Sequence, residues 1–284
     1  MKQQEAYMFF TAALIIIPLL FSLPSSSLEA HREVEVGDER EFDYIRGSKK
    51  GPEHWGELKK EWASCRTGDL QSPIDMSNNR VEVIRKSGDF KRNYKPCNSV
   101  VKNRGHDISL EWKGYNAGSI QINGNEYFLQ QCHWHSPSEH TINGRRYNME
   151  LHMVHVNTDP NVKYNITVIG ILYKIGPPDA FLSKLLSDIK SMNDQKQERN
   201  MGMVDPREIK MGDKRYYRYL GSLTVPPCTE RVIWTINKKI RTVSEDQVKA
   251  LREAVHDYAE RNARPVQPLN KREIKLYEAE DTSN

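Results

Sequence analysis

The chain has 284 residues, enough to bury a sizeable core as one large domain or two small ones. Its 42 basic and 38 acidic side chains leave a net charge of only +4, with no basic blocks and no Lys/Arg runs interleaved with aromatics, which argues against a nucleic-acid partner. At 37% hydrophobic and 28% charged, the composition is polar for a globular protein but well above that of a disordered chain.

Residues 1–30 read as a signal peptide. "MFFTAALIIIPLLFSL" (8–23) is an apolar run interrupted by Pro18, preceded by Lys2 and followed by small residues, so cleavage is expected near Ser27 or Ala30. An uncleaved N-terminal anchor is the alternative. Residues 31–41 are charged and read as a flexible lead-in. Beyond them no repeat or low-complexity linker interrupts the chain, and residues 279–284 form a polar tail with no second span. Entry into the secretory pathway would allow Cys65, Cys97, Cys132 and Cys228 to form two bridges, in any of three connectivities. None of the four lies in a CxxC pair.

From Phe42 onward, short β-rich runs recur in order: "ISLEW", "GSIQI", "YFLQQCHWH", "MELHMVHV", "ITVIGILYKI" and "RVIWTI", separated by turn clusters such as "KGYNAG" and "INGRR". Helical patterns are fewer: "AFLSKLLSDIKSM" and "SEDQVKALREAVHDYAERN", the second with Ser244 as N-cap. The expected fold is mainly β (α+β), a single domain on a large, mostly antiparallel sheet with peripheral helices.

Five of the nine histidines fall between 133 and 155. Alternate residues of a strand share a face, so Gln131, His133 and His135 point one way while Cys132 and Trp134 point the other. In the second strand Glu150, His152 and Val154 share a face and His155 lies opposite. His133, His135 and His152 can therefore converge, three imidazoles leaving a fourth tetrahedral position open, the ligand count of catalytic rather than structural zinc. Gln131 and Glu150 each stand two residues before a ligand on its own face, placed to bond the outer ring nitrogen. His140 and His155 are expected to be structural, and His54 and His256 to be surface or packing residues.

These motifs, together with "GPEHWG", "LQSPID", "KNRGHDISLEW", "YYRYLGSLTVPPC" and "NARPVQPLN", closely resemble the alpha-type carbonic anhydrases, especially secreted plant members, over residues 42–278. The resemblance implies a large twisted central sheet and zinc on His133, His135 and His152. It places Gln131, Glu150 and the backbone carbonyl of Asn262 behind the three ligands. Thr224 would accept a hydrogen bond from zinc-bound hydroxide and donate to Glu139. His106 would shuttle protons, with Tyr44 and Asn103 along the water path. Val154, Val168, Leu223, Val232 and Trp234 would form the apolar wall for carbon dioxide, and Val225 stands where the family often has a second threonine beside bound bicarbonate. A Cys65–Cys228 disulfide is implied because secreted relatives commonly pair these positions; Cys132, facing away from the histidine face, then reads as a buried thiol, with a Cys97–Cys132 bridge as the alternative.

The implied function is zinc-dependent, reversible hydration of carbon dioxide, acting on a small-molecule substrate without a membrane span after cleavage. The rival reading is a storage or binding protein of the same fold with little activity. The expected destination is extracellular, or the chloroplast by way of the secretory pathway. "NIT" makes Asn165 a glycosylation acceptor by pattern.

Overall fold

The computed structural model describes residues 41–85, 90–192, 197–212 and 214–278; the expected signal peptide, the lead-in up to residue 40 and the tail lie outside the described residues. Among the described residues, two one-turn helices, α1 (Trp55–Leu58) and α2 (Ser64–Thr67), come first. The strands are β1 (Asp75–Met76), β2 (Val81–Ile84), β3 (Phe90–Tyr94), β4 (Cys97–Asn103), β5 (Ile108–Trp112), β6 (Gly118–Ile122), β7 (Asn125–His135), β8 (Thr141–Ile142), β9 (Arg145–Arg146), β10 (Met149–Val156) and β11 (Ile166–Ile175). Helix α3 (Ala180–Lys190) follows, then β12 (Glu198–Val204), β13 (Tyr216–Ser222), β14 (Glu230–Asn237), β15 (Arg241–Val243), helix α4 (Glu245–Ala254) and β16 (Ile274–Tyr277).

One 13-stranded sheet runs β12–β4–β5–β7–β10–β11–β14–β13–β16–β2, with β6 also on β7, β3 on β6 and β15 on β11. Its pairings are antiparallel except β11/β14, β11/β15 and β16/β2. The fold class read from sequence therefore holds. The parallel pair β11/β14 carries α3, β12 and β13 between its strands, and no local pattern announces so long a crossover. Strands β1, β8 and β9 form a small separate sheet.

Every residue of β10 is buried, because both of its faces are covered. On one face Cys132, Trp134, Leu151, Met153, Ile169 and Ile171 join the main core, which α3 closes with Phe181, Leu182 and Leu185 and α4 with Val248 and Leu251. Asp179 caps α3 by accepting from Leu182 N at 2.9 Å. Ser244 caps α4 in a reciprocal box with Gln247, as its sequence suggests. Helix α4 ends earlier than its pattern. At Val255 the chain turns extended, where the Ala254 carbonyl accepts from the Asn103 amide and His256 N donates to Gly105 O at 3.0 Å. Long-range hydrogen bonds override a helical continuation of modest propensity there.

Candidate metal centre

The other face of β7 and β10 is polar. Register pairs His133 with His152 and His135 with Glu150, so strand alternation brings both HxH imidazoles beside the third. The three rings stand 4.6–5.1 Å apart, centroid to centroid, at 0–3% exposure. One nitrogen of each lies within 4.8 Å of the others.

Each outer nitrogen is committed. His133 Nδ1 meets Gln131 Oε1 at 2.9 Å, His135 Nδ1 meets the Asn262 carbonyl at 2.7 Å, and His152 Nε2 meets Glu150 Oε1 at 2.9 Å. An imidazole that donates from one nitrogen presents a lone pair on the other. The inward atoms are thus His133 Nε2, His135 Nε2 and His152 Nδ1. Two of them face each other at 3.3 Å, and His135 Nε2 is buried without a hydrogen bond. Two nitrogens on one tetrahedral zinc, with bonds of ~2.0–2.1 Å, lie roughly 3.3–3.4 Å apart. The donor set fits zinc.

The electrostatics favour ligand-competent, neutral rings at two of the three positions. Burial drives His133 well below the ordinary imidazole pKa despite the Asp107 charge, and lowers His152 despite Glu150. At His135 burial is outweighed by the Glu139 charge and the Asn262 carbonyl, so its pKa is raised. Burial alone would raise Glu150, yet the His140 and His152 rings hold it well below the carboxylate range.

Glu150 also accepts from the backbone N–H groups of Glu139 at 2.9 Å and His140 at 2.8 Å, and from His140 Nδ1 at 2.7 Å. His140 Nε2 in turn meets the Tyr219 hydroxyl at 2.7 Å, which reaches Ser72 Oγ at 2.8 Å. His140 is therefore a link in the scaffold. A second possible metal group, His140–Glu150–His152, has its carboxylate filled by these donors and serves as orientation. The register partner of His152 in β11 is Gly170, where a Cβ would lie 2.5 Å from Ile236 Cδ1 and 3.0 Å from Glu150 Oε1; the His152–Glu150 pair needs that missing side chain.

Beyond the histidines, Val154 pairs with Val168 and Val168 with Trp234, giving an apolar row two residues along from His152 on the same face. Val232 precedes Trp234 by two in β14, and all four, with Leu223, are buried. The Trp234 ring also touches His152 at 4.8 Å. Val225 does not join this row. It packs with Phe42, Trp55, Trp62, Cys65 and Cys228 in a second buried cluster.

Glu139 Oε1 accepts from Arg264 N at 2.9 Å, while Oε2 is buried without a hydrogen bond and lies 3.7 Å from His135 Nε2. The expected Thr224–Glu139 bond is thus not formed among the described residues, although Thr224 is buried. His106 is fully buried, its ring 5.4 Å from Phe42 and its Nε2 3.6 Å from Asp107 Oδ2. Tyr44 lies on the same aromatic wall, 5.9 Å from Phe42. The Asn103 amide donates to Ala254 O and accepts from Gly105 N at 2.8 Å, which ties it to the loop.

Two residues do more than their motifs announce. The Asn262 side chain accepts from Ser136 N at 2.8 Å and donates to His106 O at 2.9 Å and Trp134 O at 3.2 Å, besides the backbone bond to His135. Arg264, 1% exposed, donates to Gln71 Oε1, Ser72 O and Cys65 O, each at 2.8 Å. Burial lowers its pKa to about 10. The Cys65–Cys228 disulfide is formed, with Cα atoms 5.0 Å apart, and Cys97 and Cys132 are buried thiols. His155 Nε2 meets the Tyr94 hydroxyl at 2.8 Å, His54 sits at the surface against Glu57, and His256 packs on Tyr258.

Residues 50–278 match the family model described as eukaryotic-type carbonic anhydrase. The chain is 52% identical over 269 residues to "Alpha carbonic anhydrase 7" of Arabidopsis thaliana, covering 94% of this chain and 95% of that one. It is 53% identical over 270 residues to "Carbonic anhydrase Nec1" of Nesocodon mauritianus, covering 95% of each. Among solved structures, dioscorin complexed with ascorbate superposes with a TM-score of 0.81 at 44% identity, covering 86% of this chain and all of that one. The chain belongs to the eukaryotic-type carbonic anhydrase family.

Proposed function

We propose that the chain reversibly hydrates carbon dioxide to bicarbonate and a proton, with zinc held by His133, His135 and His152. One observation carries this reading: three buried imidazoles whose outer nitrogens are all engaged and whose inner nitrogens converge. Bound there, zinc supplies the Lewis acidity that brings the pKa of water towards about 7, a value for which carbonic anhydrase is itself the type example.

The protein's own groups do the rest. Gln131, Glu150 and the Asn262 carbonyl aim the ligands. The Val154–Val168–Trp234 row, with Leu223 and Val232, receives a neutral, linear substrate that loses little on leaving water. Thr224 orients the attacking oxygen, and the open Oε2 of Glu139, whose Oε1 is fixed by Arg264 N, is the acceptor its hydroxyl would take up. His106 takes the released proton on its ring and passes it on towards solvent, with Phe42 and Tyr44 beside it. Asn103 keeps the His106 loop in place. Val225 tunes this region through packing.

The second reading, a binding or storage protein with little activity, is favoured by the likeness to dioscorin and makes ascorbate the first ligand to try. Zinc analysis of the mature protein together with a carbon dioxide hydration assay separates the two. About one zinc per chain with fast hydration supports the enzyme; a zinc-free or inert protein overturns it. His106→Ala isolates the shuttle: hydration slows in weak buffer, imidazole restores part of it, and zinc content stays constant. Unchanged rates in weak buffer remove His106 from the route.

The disulfide supports passage through the oxidising secretory pathway, with residues 1–30 as signal peptide and an extracellular destination, or the chloroplast by that route. Asn165 is exposed just before β11, which suits a glycan there.

A further inference from the structure

A cleft of about 650 Å³ opens away from the histidine site and shares none of its residues. Three separate stretches build it: β3, the segment 206–212 and the turn between β14 and β15. Each contributes cations, namely Arg92, Lys210, and Lys239 with Arg241, beside the apolar Tyr94 and Met211.

The stretches are tied together. Arg92 Nη1 approaches Met211 Sδ at 2.8 Å, the Asn237 amide donates to Met211 O, and Gly212 (φ 89°) rests on Lys239, where a Cβ would lie 2.9 Å from the lysine Cβ. This packing aligns the stem of Lys239 against the cleft wall.

Among the described residues these cations have no ion-pair partner. Arg207 is neutralised by Asp205 at 2.7 Å and Lys184 pairs with Glu208 at 2.5 Å, but Arg92, Lys210, Lys239 and Arg241 form no ion pair among the described residues. Arg241, which lines the cleft, also has its Nε buried without an acceptor, a costly state for a charged donor. Asp179, which senses Arg241, is occupied in capping α3 and does not line the cleft. Four like charges around one concavity repel each other and focus a positive potential into it.

The geometry points to a second binding site in this cleft, for a small multivalent oxyanion, a phosphate ester or a polycarboxylate. Its volume lies in the range of small-molecule sites, roughly 300–1,000 Å³.

Calorimetric titration of the zinc-loaded mature protein at neutral pH and low salt tests this, with inorganic phosphate and tricarballylate as probes. Binding of phosphate alone assigns the site to phosphates, and binding of tricarballylate alone to carboxylates; binding of both assigns it to oxyanions in general. In each case Lys239→Glu weakens binding by about tenfold, whereas Lys249→Glu, an equal charge change on exposed α4, leaves it unchanged. The site is refuted if neither probe binds at up to about 10 mM. It is equally refuted if Lys239→Glu has no effect, because the anion then sits elsewhere, or if Lys249→Glu weakens binding as much, because net charge then explains it.

Discussion

His152 and His155 stand three residues apart on β10, both fully enclosed, yet they differ in what surrounds their nitrogens. His152 hands its outer nitrogen to Glu150 and turns the inner one towards His133 at 3.3 Å. His155, on the core side, meets a tyrosine hydroxyl at 2.8 Å, and burial lowers its pKa to about 3. Burial alone makes a histidine neutral; it becomes a metal ligand only where several lone pairs are aimed at one point by donors locked behind them. The two faces of this strand pair therefore divide the labour: one fixes directions, the other supplies cohesion.

Removing a ligand is the severest test of that division. His152→Ala is expected to cut zinc affinity by at least about a hundredfold and abolish hydration, since two imidazoles compete poorly with water for the metal. Near-stoichiometric zinc by elemental analysis after purification would break the three-histidine reading. On the cohesive face, Met153→Ala should cost about 2–5 kcal/mol in urea unfolding while leaving zinc stoichiometry intact. If zinc is lost in proportion, the faces are not separable. Gln131→Ala leaves all three ligands but releases the His133 ring, for about 10–100-fold weaker zinc binding in competition with a chelator.

His155 gives the smallest effect near neutrality. Its pKa is depressed in the folded state, so the unfolded chain takes up a proton that the folded one refuses. Its stabilisation is therefore fully present above about pH 6.5 and is lost as pH falls towards 3. The loss is about 1 kcal/mol at pH 6. Replacing His155 by Gln should flatten the pH dependence of unfolding between pH 7 and 5; an unaltered slope would assign it to other groups.

How much was legible in advance follows from the range of each interaction. The facing of His133, His135, Gln131, His152 and Glu150 is a matter of strand parity, so a few adjacent residues reveal it. The backbone role of Asn262 and the disulfide came through family likeness. The Asn262 side-chain clamp, the Arg264 hub and the end of α4 at Ala254 depend on partners more than a hundred residues away, and no local period encodes them. Val225, which family likeness puts beside bound bicarbonate, has neighbours that the motif does not include and belongs to the Phe42–Trp55–Trp62 cluster. Asn103 is similar, its amide drawn to backbone groups that the motif does not include.

The distant clamps also impose an order on biosynthesis. A ribosome releases all three histidines and both of their strands long before Asn262 and Arg264, which stand 127 positions beyond His135 and 125 beyond Glu139. Until that last segment emerges and docks, His135 has nothing to set its tautomer and Glu139 lacks its backbone donor. A nascent chain stalled after β14 would carry all three histidines and still lack the Asn262 and Arg264 bonds that finish their setting, so the geometry of the centre belongs to the completed polypeptide.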